Sequence, residues 1–309
     1  MAPESAGDRC LIRCGGRIEA VVTMWSRHDS RIRRPVGVCD RCGHVQIATL
    51  FEEGEYADLN GRFFTKYYDA DDAELRAEIN RRKIATTVER IADRVDGGGR
   101  LLDIGAGIGW ASEVCTRLDL DYHAVEPDPA MAGRVAAMGA TLAASTVDQL
   151  LPEWADRFDV IMLRHTLEHL LDPIGVLAIL AQCLGEKGFL YVVVPNFSNA
   201  SPRSGFTTDY LRPVHISYYT RNKLEWSLSS AGLVASHVGE EAELWAIATR
   251  DVPSLELQDE REANRRRIRD LKRVNRTRDF YRVVRILGSR LKARLGRPVV
   301  HTPTDSVTL

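Results

Sequence analysis

From Arg100 onward the chain alternates short apolar runs with amphipathic stretches, and this rhythm constrains the fold more than any other feature of the sequence. β-like runs occur at Leu101–Ile104, Tyr122–Val125, Phe158–Leu163 and Phe189–Val194, with helical stretches such as Met131–Met138 and Pro173–Leu184 between them. Alternation at this spacing predicts parallel βαβ units with helices on both faces of one sheet. A polar loop, Pro195–Ser217, leads to a helix at Arg221–Ala231. Two short β-like runs then follow, Val234–Val238 and Glu243–Ala248. Only four residues separate them, which predicts an antiparallel hairpin.

The first run ends in Asp103-Ile-Gly105-Ala-Gly107-Ile-Gly109-Trp110. Glycines between a strand and a helix let the backbone turn tightly and approach a ligand with no Cβ in the way. A dinucleotide fingerprint needs G-x-G-x-x-G. Here Trp110 stands at the third glycine position and Gly109 comes one residue early. The acid ahead of the glycines suits a ligand that presents an ammonium, because a carboxylate repels pyrophosphate. Glu126 ends the next strand and can accept both hydroxyls of a ribose.

These residues, in order with Glu126-Pro-Asp128, Asp148, Phe158-Asp-Val160, Arg164-His165-Thr-Leu-Glu168-His169, Gly188 through Asn196, His215 through Thr220 and Ala231-Gly-Leu233, resemble a class I S-adenosylmethionine-dependent methyltransferase over roughly residues 36–250. The resemblance implies an α/β, Rossmann-like seven-stranded sheet whose last strand is antiparallel. It implies that Asp103 and the backbone of Gly105, Gly107 and Gly109 hold the methionine portion of the cofactor. Glu126 then binds the ribose, Asp148 faces the adenine, and Arg164 belongs to the same cofactor-binding set.

Methyl transfer from a sulfonium is an in-line displacement in which the protein mainly aligns nucleophile, carbon and sulfur. A hydroxyl nucleophile also benefits from a general base near neutral pKa, and histidine is the usual choice. His165, just past the fourth strand, and His215, in the loop after the fifth, are the catalytic candidates; His169 reads as a packing or capping residue. The run His165-Thr-Leu-Glu168-His169 also fits the H-x-x-E-H pattern of inverted zinc proteases. A strand exit is the wrong context for that helical motif.

Four of the six cysteines, Cys10, Cys14, Cys39 and Cys42, crowd into the first 42 residues. Cys39-Asp-Arg-Cys42-Gly43 is a zinc knuckle; Cys10 and Cys14 are one residue further apart than the usual pair, within the two to four intervening residues that such sites tolerate. A structural Zn²⁺ on four thiolates is expected, the 24 residues between the pairs forming a hairpin. Methyltransferases with an N-terminal zinc ribbon form a recognisable subgroup. Its aromatic-rich stretch is matched here by Phe63–Tyr68, and the likeness implies a sugar or other small-molecule acceptor.

Four regions follow: a zinc-ribbon-like segment at 1–50, a linker and amphipathic helix at 51–96, the cofactor-binding domain at 97–252, and a basic helical tail at 253–309. In the second, Leu75, Ile79, Ile84, Val88, Ile91 and Val95 recur at helical spacing. The formal net charge of −1 hides an asymmetry. Residues 260–297 carry 15 Lys/Arg against 4 Asp/Glu, and the remainder is −12. Val284, Leu287, Leu291 and Leu295 make part of that tail an amphipathic basic helix, able to lie on an anionic membrane surface. No apolar run reaches the ~18 residues of a membrane span. The first fifteen residues lack the apolar core of a signal peptide, so a cytoplasmic location is expected. The function these features support is O-methylation of a sugar, glycan or other small-molecule acceptor. The alternative is RNA methylation with the cysteine segment and basic tail gripping phosphates. Against that alternative, Pro195-Asn196-Phe197 lacks the second proline of the motif that methylates base amino groups.

Overall fold

The computed structural model describes residues 9–25, 33–49, 51, 54–56, 58–59, 73–95, 97–200, 214–241, 243–252 and 255–271. The aromatic run Phe63–Tyr68 and the amphipathic pattern Val284–Leu295 lie outside the described residues. The elements in chain order are β1 (Ile18–Trp25), β2 (Arg33–Cys39), β3 (Val45–Ile47), α1 (Ala73–Ala92), β4 (Arg100–Ile104), α2 (Ala111–Arg117), β5 (Asp121–Val125), α3 (Pro129–Ala137) and β6 (Thr141–Ala144). They continue with β7 (Phe158–Arg164), α4 (Pro173–Cys183), β8 (Leu184–Pro195), β9 (Ser217–Tyr218), α5 (Arg221–Ser230), β10 (Leu233–Glu240), β11 (Glu243–Arg250) and a last helix, α6, at 261–271.

Seven strands form one sheet in the order β10-β11-β8-β7-β4-β5-β6. Neighbours from β6 to β8 pair in parallel. β11 alone runs antiparallel to both of its neighbours, and β10–β11 is the expected hairpin. The central strands are apolar because both of their faces are covered. Successive side chains point to opposite faces. Thus Leu102, Ile104, Ile161 and Leu163 pack with α4 and α5 through Leu177, Leu180, Leu224 and Leu228. Leu101, Val160 and Met162 pack with α1, α2 and α3 through Val88, Ile91, Val114 and Val135.

Local chemistry sets the helix starts. The Asp128 carboxylate accepts from the backbone N–H of Ala130 (2.8 Å) and Met131 (3.0 Å) at the head of α3, with Pro129 in the first turn. Asp172 caps α4 in the same way through Gly175 N–H (3.0 Å), followed by Pro173. Both aspartates satisfy donors that have no partner inside the helix. α1 buries Val88 and Ile91, whereas Ile79 on the expected stripe is 46% exposed. β8 begins at Leu184, five residues before the expected Phe189. Its pairing with β7 shifts between Phe158 and Val160, and residues 185–188 form the irregularity.

A second sheet, β1-β2-β3-β9, is antiparallel throughout. β9 comes from the far side of the chain, in the stretch after β8. α6 closes the other face, burying Ile268 and Leu271 with Val36, Val38, Val45, Ile47, Phe197 and Ile216. The join is polar as well. Glu260 N–H donates to Cys42 O (3.1 Å), Arg261 Nη1 to Asp40 O (2.8 Å), and Asn264 Nδ2 to Gly43 O (2.9 Å). Gly43 has φ +79°, and a Cβ there would lie 2.3 Å from the Arg261 nitrogen. The front of the chain and the stretch after 253 therefore share one small core. No helix among the described residues is long and apolar enough to cross a membrane.

Candidate active site

The site lies at the carboxyl ends of the parallel strands, where an open α/β sheet offers its crevice. β4 delivers Asp103, 6% exposed, whose carboxylate accepts a hydrogen bond from the Tyr122 hydroxyl on β5 (2.9 Å). Burial raises the Asp103 pKa to about 7; Glu126 adds to the rise, while the Tyr122 bond and Arg164 oppose it. Beyond Asp103 the backbone turns left-handed at Gly105 (φ +74°), Gly107 (φ +58°) and Gly109 (φ +77°). At Gly105 a Cβ would also meet Thr166 Oγ1 at 2.9 Å. Glu126, buried at the end of β5, accepts from Gly107 N–H (2.7 Å) and Asp128 N–H (2.9 Å). Burial raises its pKa against those two bonds. Asp103, the glycines and Glu126 thus converge. Asp148 is exposed on the 3₁₀ turn Val147–Gln149 after β6, and no contact among the described residues joins it to them.

A second group forms where β7 ends. Arg164 points its guanidinium at Glu243 of β11, with both carboxylate oxygens at 3.2 Å. His165 adopts φ +54°, a left-handed conformation that L-residues seldom take. Its Nδ1 is hydrogen-bonded to Glu168 Oε1 (3.2 Å) and its Nε2 to Glu243 Oε1 (3.0 Å). Burial disfavours the charged ring, but the two carboxylates outweigh it and the His165 pKa is raised. Both acids are correspondingly lowered despite burial, Glu243 also by Arg164 and by Lys83 of α1 at 2.8 Å. Each ring nitrogen of His165 thus faces a carboxylate oxygen, an arrangement that favours the protonated ring.

Glu168 and His169 occupy the 3₁₀ turn Leu167–His169. Ile216 N–H donates to Glu168 O (2.8 Å), while Ile47 N–H donates to Ile216 O (2.9 Å). One residue thus ties the turn to the small sheet. His169 Nδ1 donates to Val214 O (2.9 Å), and the Tyr56 hydroxyl donates to the same carbonyl (2.8 Å). The His169 and His215 rings meet edge to face at 4.9 Å between centroids, and His215 is 5% exposed. Of the two histidines expected to be catalytic, His165 sits between two carboxylates and His215 against His169.

The sequence reading did not single out Tyr122 or Glu243, and it quoted Glu168 only as part of a motif. Glu243 lies 78 residues from His165, so no local pattern pairs them. An acid opening the last strand of the hairpin was the only available signal.

At the front, the Sγ atoms of Cys10, Cys14, Cys39 and Cys42 lie within 4.8 Å of one another and all four residues are buried. The pairs Cys10–Cys42 and Cys14–Cys39 stand at 3.8 and 3.4 Å. Backbone N–H groups of Gly16, Arg41 and His44 point at three of the sulfurs (3.4–3.5 Å).

A family model described as a methyltransferase domain matches residues 76–238, more than half of the chain. Among curated proteins, a ubiquinone biosynthesis O-methyltransferase from Caulobacter sp. (strain K31) is 35% identical over 105 residues, 32% of this chain and 42% of the relative. One of the same name from Xanthomonas oryzae pv. oryzae is 24% identical over 158 residues, 44% of this chain and 66% of the relative. The chain thus spans about two fifths of the first of these relatives. Among solved structures, the 1,6-didemethyltoxoflavin-N1-methyltransferase of Burkholderia thailandensis, with bound 1,6-didemethyltoxoflavin and S-adenosylhomocysteine, covers 71% of this chain and 96% of its own. It is 20% identical, with a TM-score of 0.51, a likeness of fold. Seven strands in this order, a glycine turn behind a buried acid, and the match over 76–238 lead to one conclusion: the chain belongs to the methyltransferase domain family.

Proposed function

We propose that the protein transfers a methyl group from S-adenosylmethionine to a hydroxyl oxygen of a small-molecule acceptor. The observation that carries the reading is the convergence of a buried Asp103 carboxylate, three left-handed glycines and Glu126 at one strand edge. That set fits an amino-acid ammonium at one end and a ribose at the other. A pyrophosphate would face two carboxylates. Asp103 and the loop backbone would hold the methionine end, Glu126 the ribose and Asp148 the adenine. When bound, S-adenosylmethionine supplies an electrophilic methyl carbon on a good leaving group.

The chain's own residues then align the acceptor oxygen and receive its proton. Arg164 and His165, held by Glu243, position the end of β7 beside the loop. His165, with a carboxylate at each ring nitrogen, is engaged in orienting Glu168 and Glu243. Deprotonation of the acceptor hydroxyl is placed beside it, at the Glu168, His169 and His215 group. The O-methyltransferase names of the curated relatives support oxygen as the methylated atom. A sugar or glycan hydroxyl is the acceptor class implied by the cysteine-bearing subgroup. Incubation with methyl-labelled S-adenosylmethionine and a panel of sugars, phenols and catechols should give O-methyl products, identified by NMR. Labelling confined to nitrogen or carbon acceptors would overturn the reading.

We further infer that Cys10, Cys14, Cys39 and Cys42 hold a structural Zn²⁺. With Zn–S near 2.3 Å, tetrahedral geometry sets S···S at about 3.8 Å, against 3.4 and 3.8 Å here. Four thiolates leave no open position, so this metal would fix the fold. Elemental analysis should find about one zinc per chain, lost in Cys39→Ser.

A further inference from the structure

The buried carboxylate of Glu168 is only half used. Its Oε1 takes the His165 bond, while Oε2 is buried with no hydrogen-bond partner in a residue 1% exposed. An unpartnered carboxylate oxygen is costly to bury, and two imidazoles lie close to this carboxylate. Ligand atoms of Glu168, His169 and His215 all lie within 4.8 Å of one another. His169 is pre-set for the task. A carbonyl has no proton to give, so the 2.9 Å contact with Val214 O requires Nδ1–H, and in the neutral ring the lone pair is then on Nε2. A ring N–H donated to a backbone carbonyl is the outer-shell arrangement that orients a histidine toward a metal. Two backbone bonds hold the third residue in place: Ile216 N–H to Glu168 O and Ile47 N–H to Ile216 O clamp the stretch carrying His215 between the turn and β3.

We propose that Glu168, His169 and His215 form a site for a divalent transition-metal ion, next to the cofactor loop and separate from the four cysteines. Two imidazoles and one carboxylate suit Zn²⁺, Fe²⁺, Co²⁺ or Ni²⁺ better than Mg²⁺. Three protein ligands leave positions open, as a catalytic site requires. Thr166 Oγ1 donates to Ile104 O (2.8 Å) and stands over Gly105, so the motif carrying Glu168 and His169 abuts the loop.

The inference rests on the O-methylation reading and specifies its proton step. The acceptor hydroxyl binds at an open position, and the cation lowers its pKa, as it does for bound water. The proton leaves to solvent. The oxygen forms its bond to the methyl carbon as the carbon–sulfur bond breaks, and the sulfonium leaves as a neutral thioether. A hydroxyl, phenol or catechol able to coordinate through oxygen is the substrate class that such a site takes.

The test is Co²⁺ titration of the full chain with its cysteine-bound zinc retained, followed by visible spectroscopy and calorimetry. A nitrogen–oxygen site gives weak d–d bands without the intense sulfur-to-cobalt charge transfer of thiolate ligands. We expect one such equivalent per chain. Glu168→Gln should weaken it at least tenfold, and His215→Gln should do so independently, while S-adenosylmethionine binding stays intact in both. Absence of Co²⁺ uptake by the unmodified protein, or uptake unchanged in Glu168→Gln, would overturn the site. Hydroxyl methylation that continues at full rate after chelation of this ion would overturn its role and leave the O-methylation reading standing. Co²⁺ uptake with no hydroxyl acceptor methylated would instead strike that reading alone.

Discussion

The two sheets of this protein are built on opposite plans. The seven-stranded sheet is drawn from one continuous stretch of chain, residues 100–250, mostly as strand–helix–strand units closed by the β10–β11 hairpin, and its central strands are buried on both faces. The four-stranded sheet gathers pieces that are far apart: a hairpin and short strand from the first 47 residues, two residues from 217–218, and a helix from 261–271. The large sheet makes its own core; the small one is tied to the rest of the chain by hydrogen bonds from α6 and stands beside the four clustered cysteines. The small sheet also reaches the candidate site: Ile216 bridges β3 and the Glu168 turn, and the adjacent His215 ring meets His169 edge to face.

The largest effect should come from removing the cysteine-bound metal. Structural zinc contributes on the order of 10–16 kcal/mol in small finger domains. Chelation should therefore release amide protection in β1–β3 and α6 while β4, β7 and β8 stay protected in hydrogen exchange. Uniform loss of protection across both sheets would erase the contrast drawn here.

Next comes the core of the large sheet. Ile161 is fully buried at the centre of β7, and Ile161→Ala should cost about 2–5 kcal/mol. Denaturant unfolding should register that loss globally, with the zinc content unchanged.

Glu126→Ala should cost about 1.5–3 kcal/mol of S-adenosylmethionine affinity, the range for a lost bond to a charged group. Calorimetry should find the fold and metal content intact. Equal affinity would remove Glu126 from the cofactor site.

The smallest effect is a pH dependence at Asp103, whose pKa is about 7 in the folded, ligand-free chain. The folded state binds this proton more tightly than the unfolded state. The Asp103 contribution to stability is therefore present at low pH and falls as pH rises from about 4 toward 7. Cofactor binding has the opposite sign, because an ammonium needs the carboxylate. Affinity should fall about tenfold per pH unit below 7, or about 1.4 kcal/mol, and level off above it. In Asp103→Asn the slope should vanish.

Asp103, Gly105, Gly107, Gly109 and Glu126 were legible because they sit within about one βαβ unit, where strand, turn and helix patterns fix their relative places. The β10–β11 hairpin was legible for the same reason. The spacing of the cysteines marked them as a candidate metal site, and the fold brings the four sulfurs within 4.8 Å of one another. Tyr122 beside Asp103 follows from β4–β5 register, which no single strand encodes.

The sequence by itself determined the alternating architecture, the glycine turn after the first strand of the large sheet and the two cysteine pairs. Each is a short-range pattern of backbone freedom, periodicity or ligand spacing. Only the tertiary structure decided that His165 is clasped by Glu168 and Glu243, that β9 and α6 complete the small sheet, and that Glu168, His169 and His215 meet. The long pairings among these, His165 with Glu243, Glu168 with His215 and the first strands with α6, span tens to more than two hundred residues. The buried charges and strand registers that fix them exist only once the sheets have closed around them.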